Sequence, residues 1–167
     1  MPGKGPRSHK PATPAGAAAE HVKIVCRNRR ARERFRIERT FEAGLVLEGT
    51  EVKALRDGQG DLSDAYAVVK DGEVTLLNFH IAPYTHRGYA NHDPKRQRRL
   101  LMHKREIDRL VGRVQERGYT LVPLSVYFRR GWAKVEMAVA RGKHTEDRRE
   151  EIRLRDVERE ERQGGRR

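Results

Sequence analysis

The stretch YTLVPLSVYFRRGWAKVEMAVA, Tyr119 to Ala140, holds two β-prone runs, YTLVPLSVYF and WAKVEMAVA, on either side of Arg129-Arg130-Gly131. Two such runs around a short glycine-bearing turn read as an antiparallel hairpin. The same arrangement stands upstream, where AYAVVK and EVTLLNFHIAPY flank Asp71-Gly72. Both of those turn residues tolerate positive φ, which a two-residue hairpin turn demands. Two hairpins are therefore predicted, and the fold class is mainly β.

Between the hairpins lies KRQRRLLMHKREIDRLVGRVQERG, Lys95 to Gly118. Leu100, His103, Ile107, Leu110, Val111 and Val114 recur at helical spacing. Asp93-Pro94 would supply the cap and first-turn proline, and Gly118 the stop. One long helix is expected there, inserted before the last hairpin. Toward the N-terminus, HVKIVC alternates Val22, Ile24 and Cys26 with polar neighbours as a strand does. GLVLEGTEVKALRDG, Gly44 to Gly58, reads as strand with a glycine interruption that suggests a bulge. Five or six short antiparallel strands with a single helix predict a small barrel, closed or partly closed, of the OB type.

The flanks differ from this core. Residues 1–20 are rich in Pro, Gly and Ala and carry no large apolar side chain after Met1, so they cannot bury enough surface to offset ordering entropy. They are read as a disordered extension, with the OB-type barrel over 21–141 and a tail over 142–167. The tail has only Ile152, Leu154 and Val157 as apolar residues. Its Glu151/Arg155 and Glu158/Arg162 pairs favour a helix by only about 0.2 to 0.5 kcal/mol each. A segment disordered when free and helical on a partner is expected.

Charge decides which partner. The chain of 167 residues carries 37 Lys and Arg against 24 Asp and Glu, a formal net charge of +13, which points to a polyanion. Residues 1–40 hold 11 basic and 3 acidic side chains, the tail from Arg141 holds 10 and 8, so the excess sits at the N-terminal approach. In RNRRARERFRIE, Arg27 to Glu38, half the positions are arginine. An extended RARERFRI puts Arg30, Arg32, Arg34 and Arg36 on one face, whereas a helical one groups Arg29, Arg32 and Arg36. Either way a cationic ridge stands beside apolar Phe35 and Ile37. Arginine suits RNA because its planar fork pairs with phosphate and also stacks on an unpaired base. A second basic cluster, PKRQRRLLMHKR, opens the expected helix. Tyr84, Tyr89, Tyr119, Tyr127 and Trp132 are candidate stacking rings, although packing is the commoner role of such side chains.

Catalytic signals are few. There is no phosphate-cradling glycine loop, no nucleophile elbow and no Cys-x-x-Cys, and no cofactor is implied. His86 and His92 lack a partner at metal-site spacing beyond Asp93. Asp61 and Asp64 in GQGDLSDAY offer a magnesium site for a nuclease, against the commoner role of Asp in capping a turn. The single Cys26 excludes an internal disulfide framework and fits a reducing compartment. No apolar run approaches the roughly 18 residues that span a bilayer, and the N-terminus lacks the layout of a signal peptide, so a cytoplasmic protein with no membrane partner is expected.

The order of segments carries a resemblance. FEAG, L-x-G-x-E-V-K-x-L-R, DP-x-R-x-R-x-LL and GY-T stand in sequence over about Val22 to Glu160 and resemble the SmpB family, the SsrA-binding proteins of trans-translation. The resemblance implies an OB-type barrel, not an enzyme and with no small-molecule substrate. It would bind the tRNA-like domain of transfer-messenger RNA (tmRNA) and accompany it to stalled ribosomes. It places the RNA-binding surface on Asn28, Arg29, Arg30, Arg32, Glu42, Leu101, Lys104 and Arg105. It further implies that the tail enters the decoding centre and the empty mRNA channel as a helix, through Gly142, Lys143, Asp147, Arg148, Arg149, Ile152 and Arg153. Two positions depart from the family pattern: Glu146 stands where an aromatic or His is common, and Val157 where some members carry Trp. Without the resemblance, a general structured-RNA-binding or ribosome-associated barrel protein is the alternative, and the nuclease comes third.

Overall fold

The computed structural model describes residues 21–84, 90–116, 118–143, 149 and 152–159. The 1–20 extension, His86, Tyr89, Glu146, Asp147 and Arg148 lie outside the described residues. In chain order the elements are β1 (Val22–Arg27), α1 (Ala31–Arg34), β2 (Phe35–Leu45), α2 (Gly49–Arg56), β3 (Gly60–Asp61), β4 (Tyr66–Lys70) and β5 (Glu73–Leu77). There follow β6 (His80–Ile81), β7 (Arg98–Leu101), α3 (Lys104–Val114), β8 (Tyr119–Arg129) and β9 (Trp132–Gly142). Residues 152–159 are helical, with every side chain exposed.

Both hairpins form as expected. Asp71 and Gly72 take φ of 51° and 74°, and Arg130 and Gly131 take 51° and 79°, so each turn has two central residues in the left-handed region. All strand pairs are antiparallel, and the main sheet runs β1-β8-β4-β5-β7-β2-β9 with β8 also paired to β9. That last pairing closes six strands, β8-β4-β5-β7-β2-β9, into a ring, and β1 adds to β8 outside it. Pro123 sits at a register shift in β8, where a strand proline costs least. The core within the ring includes Leu55, Leu76, Phe79, Leu121, Val135 and Met137, none of them exposed.

Two elements differ from expectation. Gly44 to Gly58 is not strand throughout: Gly49 opens helix α2 rather than forming a bulge. Its buried face is Glu51, Ala54 and Leu55, spaced three and four apart, and the Glu48 N–H donates to Glu51 Oε2 at 2.8 Å across the first turn. The long helix is likewise shorter. Arg98–Leu101 is strand β7, with Arg98 and Leu100 turned inward, and α3 begins only at Lys104. Asp93 caps a turn instead, its Oδ1 accepting the Lys95 N–H at 3.0 Å. The helix ends at Val114, ahead of Gly118, whose φ of 90° turns the chain into β8. Among the described residues there are nine strands rather than five or six, six of them in the ring and β3–β6 a separate pair, and the barrel carries α2, α3 and the single turn α1.

One buried ion pair explains both differences. Arg98 Nη2 lies 2.6 Å and its Nε 2.8 Å from Glu51 Oε1, and Arg96 Nη2 reaches Glu51 Oε2 at 2.7 Å. Glu51 and Arg98 are both fully buried. Arg98 also donates to the carbonyls of Phe79 and Arg96 and lies over the Phe79 ring, so its charge is satisfied from every side. Burial pushes the Glu51 carboxyl up. The hydrogen bonds from Arg96, the Glu48 amide and Arg98 outweigh that and hold it below the usual carboxylate range. Cys26, beside Gly60, is pushed up to about 12, by burial above all.

Candidate nucleic-acid interface

The arginine ridge is neither purely extended nor purely helical. The chain makes one helical turn at Ala31–Arg34 and becomes strand at Phe35. Ala31 is 1% exposed and packs with Val122, Leu124, Ala138 and Ala140, while Phe35 and Ile37 lie against the same cluster. This apolar underside seats α1 on the outer face of β8 and β9. Arg29, Arg30 and Arg32 face solvent. Asn28 does not: its side-chain amide donates to the carbonyls of Leu62 at 3.2 Å and Pro123 at 3.1 Å, and its backbone N–H to Leu124 at 2.8 Å. Asn28 thus fastens the ridge to the barrel. Arg34 turns aside to Asp64 at 3.8 Å. Lys143 donates from Nζ to the Arg32 carbonyl at 2.8 Å and from its backbone N–H to Arg34 at 3.1 Å, so the tail departs directly beside the ridge.

Glu42 and Leu101 line one groove, and Lys104 and Arg105 stand beside it on α3. In β9 the outward set is Trp132, Lys134, Glu136, Ala138 and Ala140, because Val135, Met137 and Val139 point into the core. The pairing register aligns three outward rows: Arg27, Ser125, Glu136, Glu42; then Ile24, Tyr127, Lys134, Gly44, Leu101; then Val22, Arg129, Trp132. Glu42 lies across from Glu136, two positions along β9 from Ala138 under α1. The ridge and Glu42 therefore share one outer face. Leu101 is 54% exposed and its Cβ would stand 3.2 Å from a Cβ added at Gly44, so glycine eases the close approach of β2 and β7 there. Lys104 and Arg105 project from the first turn of α3. Beside them, between β2 and α3, lies a groove of about 860 Å³ lined by Phe41, Glu42, Leu101, Met102, Arg109 and Leu110 among others.

Glu42 is occupied within the protein. It accepts the Tyr127 hydroxyl, pairs with Arg129 Nη1 at 3.0 Å, and lies 3.9 Å from Lys134 Nζ. Burial and this carboxylate raise the Tyr127 phenol well above its ordinary range. One carboxylate thus gathers two cations and a ring on a surface that faces outward. The sequence does not single out Tyr127, Arg129 and Lys134 as a group. Their signal is alternation about the Arg130-Gly131 turn, which places Tyr127, Arg129, Trp132 and Lys134 on one face. Of the candidate stacking rings, Tyr127 is buried and Tyr119 is tied by its hydroxyl to Glu38 at 2.6 Å, whereas Trp132 is 73% exposed.

Asp61 and His92 are engaged in contacts within the fold. Asp61 Oδ1 accepts from Ser63 N at 2.8 Å and Ser63 Oγ at 2.6 Å, a turn cap whose hydrogen bonds lower its carboxyl pKa. Both ring nitrogens of His92 are engaged, with Thr50 Oγ1 at 2.9 Å and the Ile81 carbonyl at 3.0 Å. Among the described residues no group of three or more His, Cys, Asp or Glu is placed to hold a metal ion. Nor is any described helix long and apolar enough to cross a membrane.

Fold and surface together define a small basic β-barrel that presents an arginine ridge and a cation-bearing sheet face, the equipment of a nucleic-acid-binding protein. The family model for SmpB protein matches residues 25–167. The SsrA-binding protein of Pelotomaculum thermopropionicum is 56% identical over 139 residues, covering 83% of this chain and 91% of that protein. The SsrA-binding protein of Geobacter sulfurreducens is 51% identical over 138 residues, 83% of this chain and 90% of that one. A chain of the solved structure described as "tmRNA-SmpB: a journey to the center of the bacterial ribosome" superposes with a TM-score of 0.64 at 49% identity, covering 78% of this chain and 95% of that chain. The chain belongs to the SmpB family.

Proposed function

We propose that the chain binds the tRNA-like domain of tmRNA and delivers it to stalled ribosomes for trans-translation. It acts in the cytoplasm, as a binding protein rather than an enzyme. The observation that carries the reading is the exposed ridge of Arg29, Arg30 and Arg32, held on the barrel by Ala31, Phe35 and Ile37, in a chain of this family. The barrel is of the OB type in this reading, with α3 between β7 and the last hairpin. Arg29, Arg30, Arg32, Leu101, Lys104 and Arg105 contact RNA, while Asn28 fastens the ridge and Glu42 orients Arg129 and Lys134 on the same face. Phosphate contacts supply affinity and salt dependence, and shape with a few contacts to unpaired bases supplies selection.

The tail acts separately. Leaving beside the ridge at Gly142 and Lys143, it carries Asp147, Arg148, Arg149, Ile152 and Arg153 into the decoding centre and mRNA channel. The helix at 152–159, with no buried side chain of its own, supports a segment whose helical form is completed by a partner.

The test is a titration of the tRNA-like domain against an ordinary tRNA and an unrelated hairpin at two salt concentrations. A preference for the first that survives the higher salt is expected. Equal affinities that collapse together as salt rises would overturn the reading in favour of a general structured-RNA binder.

A further inference from the structure

Trp132 is the most exposed large apolar side chain among the described residues of the barrel, at 73%. A tryptophan that packed for stability would bury its ring, and this one stands in solvent. Its support is rigid: β8 and β9 are each 11 residues long, paired without a break from Ser125–Glu136 to Arg129–Trp132, and joined by the tight Arg130-Gly131 turn. Arg129 lies directly opposite it across the hairpin, and Lys134 is the next outward residue on its own strand. The outward rows reaching the tip hold Arg27, Arg129 and Lys134 with the exposed turn residue Arg130, against two carboxylates. Of those, Glu42 is paired with Arg129 and Lys134, and Glu136 accepts from Ser125 Oγ at 3.2 Å. The surroundings of the ring are therefore cationic on balance, which favours a polyanion over a protein partner. Exposed Val22 and Ile24 on β1 supply the apolar border.

We propose that Trp132 is a stacking platform for an unpaired RNA base at the tip of the β8–β9 hairpin, extending the interface past Glu42 and Leu101. An indole face accepts any base, and nearby guanidinium groups hold the adjoining phosphates, which is how sequence-tolerant single-stranded contacts are built. The inference rests on the RNA-binding function proposed above and adds a contact that is separable from it.

Trp132 is the only tryptophan in the chain, so its fluorescence reports on this position alone. The full chain is titrated with the tRNA-like domain while emission is followed, and affinity is measured in parallel by filter retention for wild type, Trp132→Phe and Trp132→Ala. Expected are quenching that saturates with retention, a loss of about 5- to 100-fold for Trp132→Ala, and a smaller loss for Trp132→Phe, with circular dichroism unchanged. A fully paired duplex of equal length should bind without comparable quenching. Retention with unchanged emission and full affinity of Trp132→Ala would overturn the platform while leaving RNA binding intact. Equal quenching by the duplex would overturn base stacking, and emission that shifts only on adding ribosomal protein would replace RNA by a protein partner. No retention of wild type at all would instead fail the proposed function itself.

Discussion

The guanidinium of Arg98 meets the carboxylate of Glu51 at 2.6 Å with neither residue exposed to solvent, and this contact ties strand β7 to helix α2 across 47 positions of chain. Each charge is buried only because the other is there. Removing Glu51 leaves the Arg98 guanidinium buried with backbone carbonyls but without its counter-charge. Glu51→Ala is expected to lower unfolding stability by about 3 to 5 kcal/mol in urea denaturation. Replacing both residues by Met should cost less than the single change. A single-mutant loss below about 1 kcal/mol would mean that water or rearrangement compensates the lone guanidinium.

Acid should erode the same contact. The folded Glu51 carboxyl lies below its ordinary value, and the unfolded one titrates near about 4.3. Its contribution is therefore present above that pH and is lost as pH falls through the folded value. The stability gap between wild type and Glu51→Gln is expected to stay constant from neutral pH to about pH 5 and to narrow below about pH 4. A gap that held steady into strong acid would show that the charge of Glu51 is not what stabilises the fold.

The ridge can be tested without disturbing the barrel, since Arg30 and Arg32 face solvent. Arg30→Ala with Arg32→Ala should leave circular dichroism and melting temperature unchanged and weaken binding of the tRNA-like domain. The slope of log affinity against log salt should become shallower by about 1 to 2, roughly one for each phosphate that the variant no longer neutralises. Unchanged affinity in a folded variant would remove the ridge from the interface.

Lys143 is held by Arg32 and Arg34, which marks where the tail can be cut. Truncation after Lys143 is expected to retain RNA binding and to abolish tagging of stalled peptides in a reconstituted translation assay. Full tagging by the shortened protein would reduce the tail to a solvated extension.

Both hairpin turns, the mainly β class, the apolar seat of the arginine ridge and the basic character of the surface are legible in the sequence, because they depend on residues close together along the chain. Asp71, Gly72 and Gly131 suit positive φ on local grounds, whereas Arg130 is held there by the closed hairpin, and Phe35 and Ile37 advertise a buried side beside exposed arginines. The tertiary structure decided α2, the true start of α3, and the outward rows that gather Tyr127, Arg129, Trp132 and Lys134 around Glu42. Glu51 on the buried face of α2 and Arg98 on the inward face of β7 are charged residues at apolar positions, so each hides the period of its own element. Only when the two meet does burying either become favourable. Local pattern could specify the hairpins because a turn closes over two residues, but not a charge whose partner lies 47 positions away.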